Sequence, residues 1–497
     1  MTEMKPSPSL GPDRIVPIRV QPGMKIEALS RSDLELIHEA SLTVLQERGV
    51  RFPLQQALDL FAEAGAEVDF EAQVVRIPPA LLESTIARAP RQVRLGSRGA
   101  PELDVHLDGT RTYFGTSGTG TRTVDLVSGE TRFSCKQDVA DMALISDYLP
   151  SISYYWPMVS ALDCPAELLP LHEIEASFLN TRKHVSIVSC VEKRAAAFAV
   201  DMAHAVAGSA EAMRRRPPLS LVVSPVTPLS QDAGGLEAAL TFAGAGLPLL
   251  FATMPIMGST APATVPGALV VGNAEILSAI CLIQLAAPGS PVIYPMFSGV
   301  MNPFTGGCLV SSDLQHLFYA STVQLGHFYN LPVMSTYGGS DLADIDSWKT
   351  GRDESIDAFF ITATGPDMIP SLGLMECYTL LCHEKILFDN DIFESIRFLS
   401  EGLTVDRDSL ALDDILSVGP GGHFMDRQQT IRQIRGHWNS GIAYQWTKSD
   451  KAFAQPRRAA RGQVQWILNH HRPESLPTEV RAELQRILDQ AGTVFGV

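Results

Sequence analysis

The chain reads as an α/β protein: a (β/α)8 TIM barrel with an N-terminal helical cap and a helical C-terminal extension. Three observations predict this. Within residues 106–400, short apolar runs alternate with helical patterns eight times from Thr112 to Arg397, a length of about 285 residues that suits such a barrel. The runs are almost continuously apolar, as parallel strands buried on both faces must be. The first run is not followed by the Gly-rich phosphate loop that would favour the other arrangement, an open doubly wound sheet.

Residues 1 to about 25 form a loose arm punctuated by Pro6, Pro8, Pro12, Pro17 and Pro22. A helix starts near Ser32, with Leu34, Ile37, Leu42 and Leu45 at helical spacing. A second covers Leu54 to Ala64 and stops at Gly65. Asp69 to Ile77 alternates as a strand does, and Pro78 to Ala87 is helical again. Residues 1–105 are therefore assigned to the arm and cap. The expected barrel strands are Thr112–Gly115, Ile152–Val159, His184–Val191, Leu219–Val226, Pro248–Pro255, Pro291–Phe297, Pro332–Tyr337 and Met368–Leu374. The helices between and after them are Gln137–Tyr148, Leu168–Thr181, Arg194–Val206, Leu236–Ala245, Pro266–Ala286, Ser312–Tyr329, Trp348–Thr364 and Thr379–Arg397. Residues 401–497 form a mostly helical extension, expected to pack on the barrel or on a second subunit.

Composition narrows the function. A net charge of −16 argues against a nucleic-acid groove, which needs clustered Lys and Arg, and suits a cationic ligand. The seven cysteines are odd in number and scattered, without a C-x-x-C pair, as expected of free thiols in a reducing cytoplasm. No apolar core of signal-peptide length lies near Met1. The apolar stretch Ala274–Ala287, interrupted by Glu275 and Gln284, reads as a buried helix too short to span a bilayer.

In a barrel of this kind, chemistry collects at the carboxyl ends of the strands. Those ends are rich in aromatics (Tyr154, Tyr155, Trp156, Phe297, Tyr337), methionines and small hydroxyls, and Glu376 is the clear carboxylate among them. The strand Leu331–Met334 breaks at Gly338-Gly339 into Ser340, Asp341, Asp344 and Asp346. An aromatic pocket with few charges suits a quaternary or tertiary ammonium group, held by cation–π contact. The same side chains also serve as barrel filling. No HExxH, paired His/Cys spacing, G-x-S-x-G or nucleotide fingerprint occurs, so no tightly bound metal or nucleotide is expected. Cys190 and Cys377 lie near strand ends and read as inert thiols.

Several stretches carry a family resemblance: Met254–Leu277, Pro288–Tyr294, Ser340-Asp341 with Asp346, Glu384–Asp391 and Val418–Phe424. Taken in order and over nearly the whole length, the chain resembles the trimethylamine methyltransferase superfamily. The resemblance implies a cytoplasmic barrel enzyme that passes a methyl group from an amine to the cobalt of a corrinoid (cobalamin) carried by a separate protein docked over the barrel mouth. It also implies a homo-oligomer, with no membrane or nucleic-acid partner. Archaeal members carry pyrrolysine, at a position that falls between Thr336 and Gly339 here. This chain has only standard residues, so it resembles the branch of glycine betaine methyltransferase, which favours a quaternary amine as substrate. On that reading Asp341, Asp346 and Glu376 hold the cation electrostatically. Tyr154, Trp156, Phe297 and Tyr337, with Gly338, form the cage, and His184, Ser224 or Thr227 takes a substrate carboxylate. Two other readings stay open: a barrel lyase acting through Lys or a metal, and a non-catalytic binder of betaine-like solutes.

Overall fold

The computed structural model describes residues 12–336, 339–437, 441–442, 446–447, 452–453 and 455–497. Eight parallel strands close into a barrel: β1 (Tyr113–Thr116), β2 (Ile152–Tyr155), β3 (His184–Ile187), β4 (Leu219–Val223), β5 (Leu249–Phe251), β6 (Val292–Pro295), β7 (Val333–Met334) and β8 (Met368–Leu372). Each is followed by a helix: α1 (Lys136–Tyr148), α2 (Leu169–Asn180), α3 (Lys193–Ala207), α4 (Ala233–Ala245), α5 (Val265–Ala286), α6 (Asp313–Phe328), α7 (Trp348–Thr364) and α8 (Lys385–Ser400). β8 pairs with β1, Met368 opposite Tyr113, and closes the ring.

The period of two sorts side chains between two cores. Along β4, Leu219, Leu221 and Val223 face the helices, while Val222 joins Tyr113, Tyr154, Leu250, Ile293, Met334 and Met368 inside the barrel. A fully packed interior is what (β/α)8 barrels require.

The barrel floor is closed by an antiparallel pair, Val93–Leu95 with Val105–Leu107, whose apolar side chains join the interior cluster. The preceding helices Arg31–Thr43, Gln55–Glu63 and Pro79–Ile86 lie along the outside of α5. The N-terminal region thus covers a wall and plugs the floor, leaving the carboxyl end open. α5 is 22 residues long and apolar enough to cross a membrane by length. Its burial beneath these helices, rather than shortness, makes it a core helix.

Two small sheets crown the carboxyl end. Ile256–Met257, Gly299–Met301 and Cys308–Leu309 form one; Arg122–Val124, Thr131–Phe133, Leu374–Met375 and Leu380–Leu381 form the other. The second sheet corrects one boundary. Residues 379–384, read from their pattern as the start of the last barrel helix, instead run through Leu380–Leu381, which pairs with the strand Arg122–Val124, and α8 starts at Lys385.

Candidate active site

β2 and the residue that follows it deliver two large aromatics to the barrel interior, Tyr154 in register with His184 and Trp156 beyond the strand's carboxyl end. Tyr154 is fully buried and Trp156 is 3% exposed; Phe297, just past β6, packs against the same cluster. Two glycines beside β2 make room for them. A Cβ at Gly115 would lie 2.2 Å from the Tyr154 ring, and one at Gly118 would lie 2.6 Å from Trp156 Nε1. Trp156 is fixed through its backbone. Thr116 Oγ1 donates to its carbonyl at 2.7 Å and accepts from its N–H at 2.8 Å. The Tyr154 hydroxyl and Trp156 Nε1 are buried without a hydrogen-bond partner among the described residues. Burial raises the Tyr154 pKa well above 10, so it stays neutral. Orphaned buried donors are costly and are tolerated where a ligand satisfies them.

Tyr337 and Gly338, the remaining members of the expected cage, lie outside the described residues. The loops on either side are well tied. Cys377 N–H donates to Ser340 O at 3.1 Å and Glu376 N–H to Leu342 O at 3.2 Å. Glu376, Cys377 and Tyr378 take φ values of 51°, 51° and 64°. Three consecutive left-handed non-glycine residues cost roughly 1–2 kcal/mol each. Strain of this kind collects at functional sites. The turn seats the Tyr378 hydroxyl against Thr336 and Ser371.

The three expected carboxylates part company here. Asp341 stays on the rim, accepting from Val310 N–H at 2.8 Å and Ser311 Oγ at 2.9 Å, with Lys349 Nζ at 3.2 Å. Glu376 pairs with Arg122 at 2.7 Å, each side chain 38% exposed. Asp346 turns outward, 56% exposed, to Arg457 of the helix Pro456–His470 at 3.3 Å, and the structure does not bring it to the mouth. His184 also falls elsewhere. It opens β3 at the amino end, where Nδ1 meets the carbonyls of Gly96 and Pro217 and Nε2 meets Ser220 Oγ at 2.8 Å. Burial pushes its pKa down to about 4, so it is a neutral floor residue. Of the hydroxyls considered, Ser224 is exposed and Thr227 is committed to Glu275. Burial pushes the Cys190 thiol up to about 12, and burial with Asp341 does the same to Cys377. Neither is an activated nucleophile.

Three glutamates that strand-end reading missed stand behind the rim. Glu173 of α2 accepts from Ser189 Oγ at 2.5 Å and Ala161 N–H at 3.4 Å. Glu275 of α5 accepts from Thr227 Oγ1 at 2.9 Å, from Leu229 N–H at 2.7 Å and from Thr253 Oγ1. Glu354 of α7 lies 3.1 Å from Lys385 Nζ, which also pairs with Asp389, whose Oδ2 accepts from Gly373 N–H at 2.7 Å. Burial raises all three pKa values, Glu173 to about 7 and Glu354 to about 8. For Glu275 the available signal was an acid inside an otherwise apolar helix; Glu173 and Glu354 sit among other charged residues and gave no such signal. Among the described residues, no group of three His, Cys, Asp or Glu is placed to hold a metal ion.

A closed parallel barrel with aromatic residues just past the carboxyl ends of β2 and β6, and loops there braced by buried carboxyls, has the architecture of a (β/α)8-barrel enzyme. The sequence profile of the trimethylamine methyltransferase (MTTB) family matches residues 7–493. The chain belongs to this family, and it is a methyltransferase. It is 30% identical over 481 residues to trimethylamine methyltransferase MttB of Desulfitobacterium hafniense, covering 96% of each chain. It is 28% identical to a glycine betaine methyltransferase of D. hafniense, over 95% of this chain and 98% of that protein. Among solved structures it is similar to the Methanosarcina barkeri monomethylamine methyltransferase MtmB, with 11% identity, a TM-score of 0.45, and coverage of 89% of this chain and 92% of that one.

Proposed function

We propose that the chain transfers a methyl group from a quaternary amine, glycine betaine or a close analogue, to the Co(I) of a corrinoid carried by a separate protein. The observation that carries this is that Tyr154, Trp156 and Phe297 share the barrel-interior cluster, with Trp156 and Phe297 just past the carboxyl ends of β2 and β6. Their ring faces attract a cation that has no N–H to donate. The relationship to a glycine betaine methyltransferase supports the same reading.

The chemistry asks little of acid–base groups. The N–CH3 bond breaks with its electron pair staying on nitrogen, so a neutral tertiary amine leaves without being protonated. The cobalt supplies the pair for the new bond and is a substrate here, not a resident group. The chain's own work is to strip water from the cation and hold one methyl toward the open mouth. Trp156, pinned through Thr116, is suited to that. Asp341 and Glu376 add negative potential at the rim, each tempered by its Lys349 or Arg122 partner. A lyase working through a lysine imine finds no support. Lys183, whose pKa burial lowers to about 7, lies just before β3 at the amino end and donates to Ser146 O and Leu149 O at 2.6 and 2.7 Å.

The test is a methyl-transfer assay with cob(I)alamin, repeated with a cognate corrinoid protein. Glycine betaine, proline betaine, carnitine, choline and trimethylamine are offered separately, and the spectral change from Co(I) to methyl-Co(III) is followed. Turnover with a quaternary amine and none with trimethylamine is expected. Turnover with trimethylamine alone, or silence with every amine and both acceptors, overturns the reading.

A further inference from the structure

A betaine presents a carboxylate as well as an ammonium group, and none of the side chains that strand-end position suggested for it is a free interior donor. His184 sits on the floor against two carbonyls, Ser224 is exposed, and Thr227 is committed to Glu275. The rim cations are taken as well: Arg122 pairs with Glu376, and Lys349 with Asp341 and Asp353. Among the described residues the buried Lys and Arg side chains are also committed, Arg182 to Asp147, Lys183 to Ser146 O and Leu149 O, and Lys385 to Glu354 and Asp389. A carboxylate inside this barrel has to be met by neutral donors.

Several polar groups there bond to one another. Ser186 and Ser220 face inward by alternation with Val185, Ile187, Leu219 and Leu221; they share a 2.8 Å hydrogen bond, and Ser220 also meets His184. Thr116 Oγ1 is spent on the backbone of Trp156. The Tyr154 hydroxyl and Trp156 Nε1 are not so committed: both are buried without a hydrogen-bond partner among the described residues. Their polar ends lie over the same short stretch of chain. A Cβ at Gly115 would lie 2.3 Å from Tyr154 Cζ, the carbon that bears the hydroxyl, and one at Gly118 would lie 2.6 Å from Trp156 Nε1. Residues two apart on a strand share a face at about 6–7 Å. One carboxylate bridges such a span by accepting a hydrogen bond of about 2.8 Å at each oxygen. The indole N–H can only donate, and burial keeps the proton on Tyr154.

We infer that the Tyr154 hydroxyl and Trp156 Nε1–H take the substrate's carboxylate, and that they select quaternary amines bearing a carboxylate over those carrying the ammonium alone. This rests on the quaternary-amine reading and adds the second half of that site. The order along β2 sets the polarity. A carboxylate held from Tyr154 lies inside the barrel, so the ammonium points outward, past the ends of β2 and β6, where Trp156 and Phe297 offer ring faces and a methyl can face the mouth. Hydrogen bonds from desolvated donors to a charged acceptor are strong. A cation without a carboxylate leaves both donors unpaired and gains nothing from them.

Isothermal titration of the full-length chain with glycine betaine and with tetramethylammonium, which lacks the carboxylate, tests this. The wild type is expected to bind glycine betaine the more tightly. Tyr154→Phe removes only the hydroxyl; it should weaken glycine betaine by about tenfold or more and leave tetramethylammonium unchanged, with kcat/KM for glycine betaine falling in parallel. Trp156→Phe loses ring face and N–H together, so both ligands should weaken and glycine betaine the more. Circular dichroism confirms that each variant is folded. Tyr154→Phe binding glycine betaine as the wild type does, or losing both ligands equally, overturns the carboxylate site and leaves the quaternary-amine reading in place. A wild type that binds neither ligand overturns both.

Discussion

Glu173, on α2, accepts a 2.5 Å hydrogen bond from Ser189, just beyond the end of β3. A carboxyl that sits under two rim loops and is shut away from water is held by burial at a pKa of about 7. Its proton stays on in the folded chain over a range in which the unfolded chain has lost it. Between pH 4.5 and 7 stability therefore falls as pH rises, on the order of 3 kcal/mol in all from this one group. It levels off above the folded pKa. Glu173→Gln should flatten that stretch of the stability curve, as read from urea unfolding at pH 5, 6 and 7. An equal slope in both proteins would show that Glu173 loses its proton over the same range in the folded chain as in the unfolded one.

Trp156 gives the direct test of the aromatic wall. Trp156→Ala should weaken glycine betaine binding by about tenfold, roughly the 1–2 kcal/mol of a desolvated cation–π contact. Trp156→Phe, which keeps a ring face, should recover part of it. Isothermal titration measures both, and unchanged affinity in the Ala variant would remove Trp156 from the cage.

Why some of this was readable in sequence and some was not follows from the range of the contacts. The eight strands announce themselves because a parallel strand buried on both faces has to be apolar throughout, and Leu219–Val223 or Val292–Pro295 look like nothing else. Trp156 and Phe297 follow from their places at strand ends. His184 was misassigned although it opens its strand in the sequence reading as in the structure, which puts it at the amino end, against the carbonyls of Gly96 and Pro217. Glu173 and Ser189 are sixteen residues apart, and Glu354 is separated from Lys385 by a whole strand. Neither pairing leaves a local pattern. Asp346 looked like its neighbour Asp341 until the helix Pro456–His470 supplied Arg457 from the far end of the chain.

The two aspartates should separate in kinetics. Asp346→Asn removes an exposed pair with Arg457, worth no more than about 1 kcal/mol, and should leave kcat/KM and stability nearly unchanged. Asp341→Asn removes an acceptor that ties residues 310–311 to the loop after β7 and should lower kcat/KM. Equal losses in the methyl-transfer assay would mean that the outward-facing carboxylate also reaches the substrate.

Lys385 is the hinge of the buried charges behind the β8 turn. Its ammonium is 2% exposed and lies between Glu354 and Asp389, both equally hidden. Replacing one member of such a group leaves the others without compensation, at a cost of about 3–5 kcal/mol. Lys385→Met should therefore depress Tm sharply. Burial already biases Glu354 and Asp389 toward their protonated forms. The variant should accordingly regain stability as pH falls toward 5 and both carboxyls take up protons. Thermal unfolding of the two proteins at pH 5 and pH 8 checks this: the gap in Tm is expected to narrow at the lower pH. A gap that is constant across that range would mean that Lys385 contributes by packing its stem rather than by neutralising the two acids.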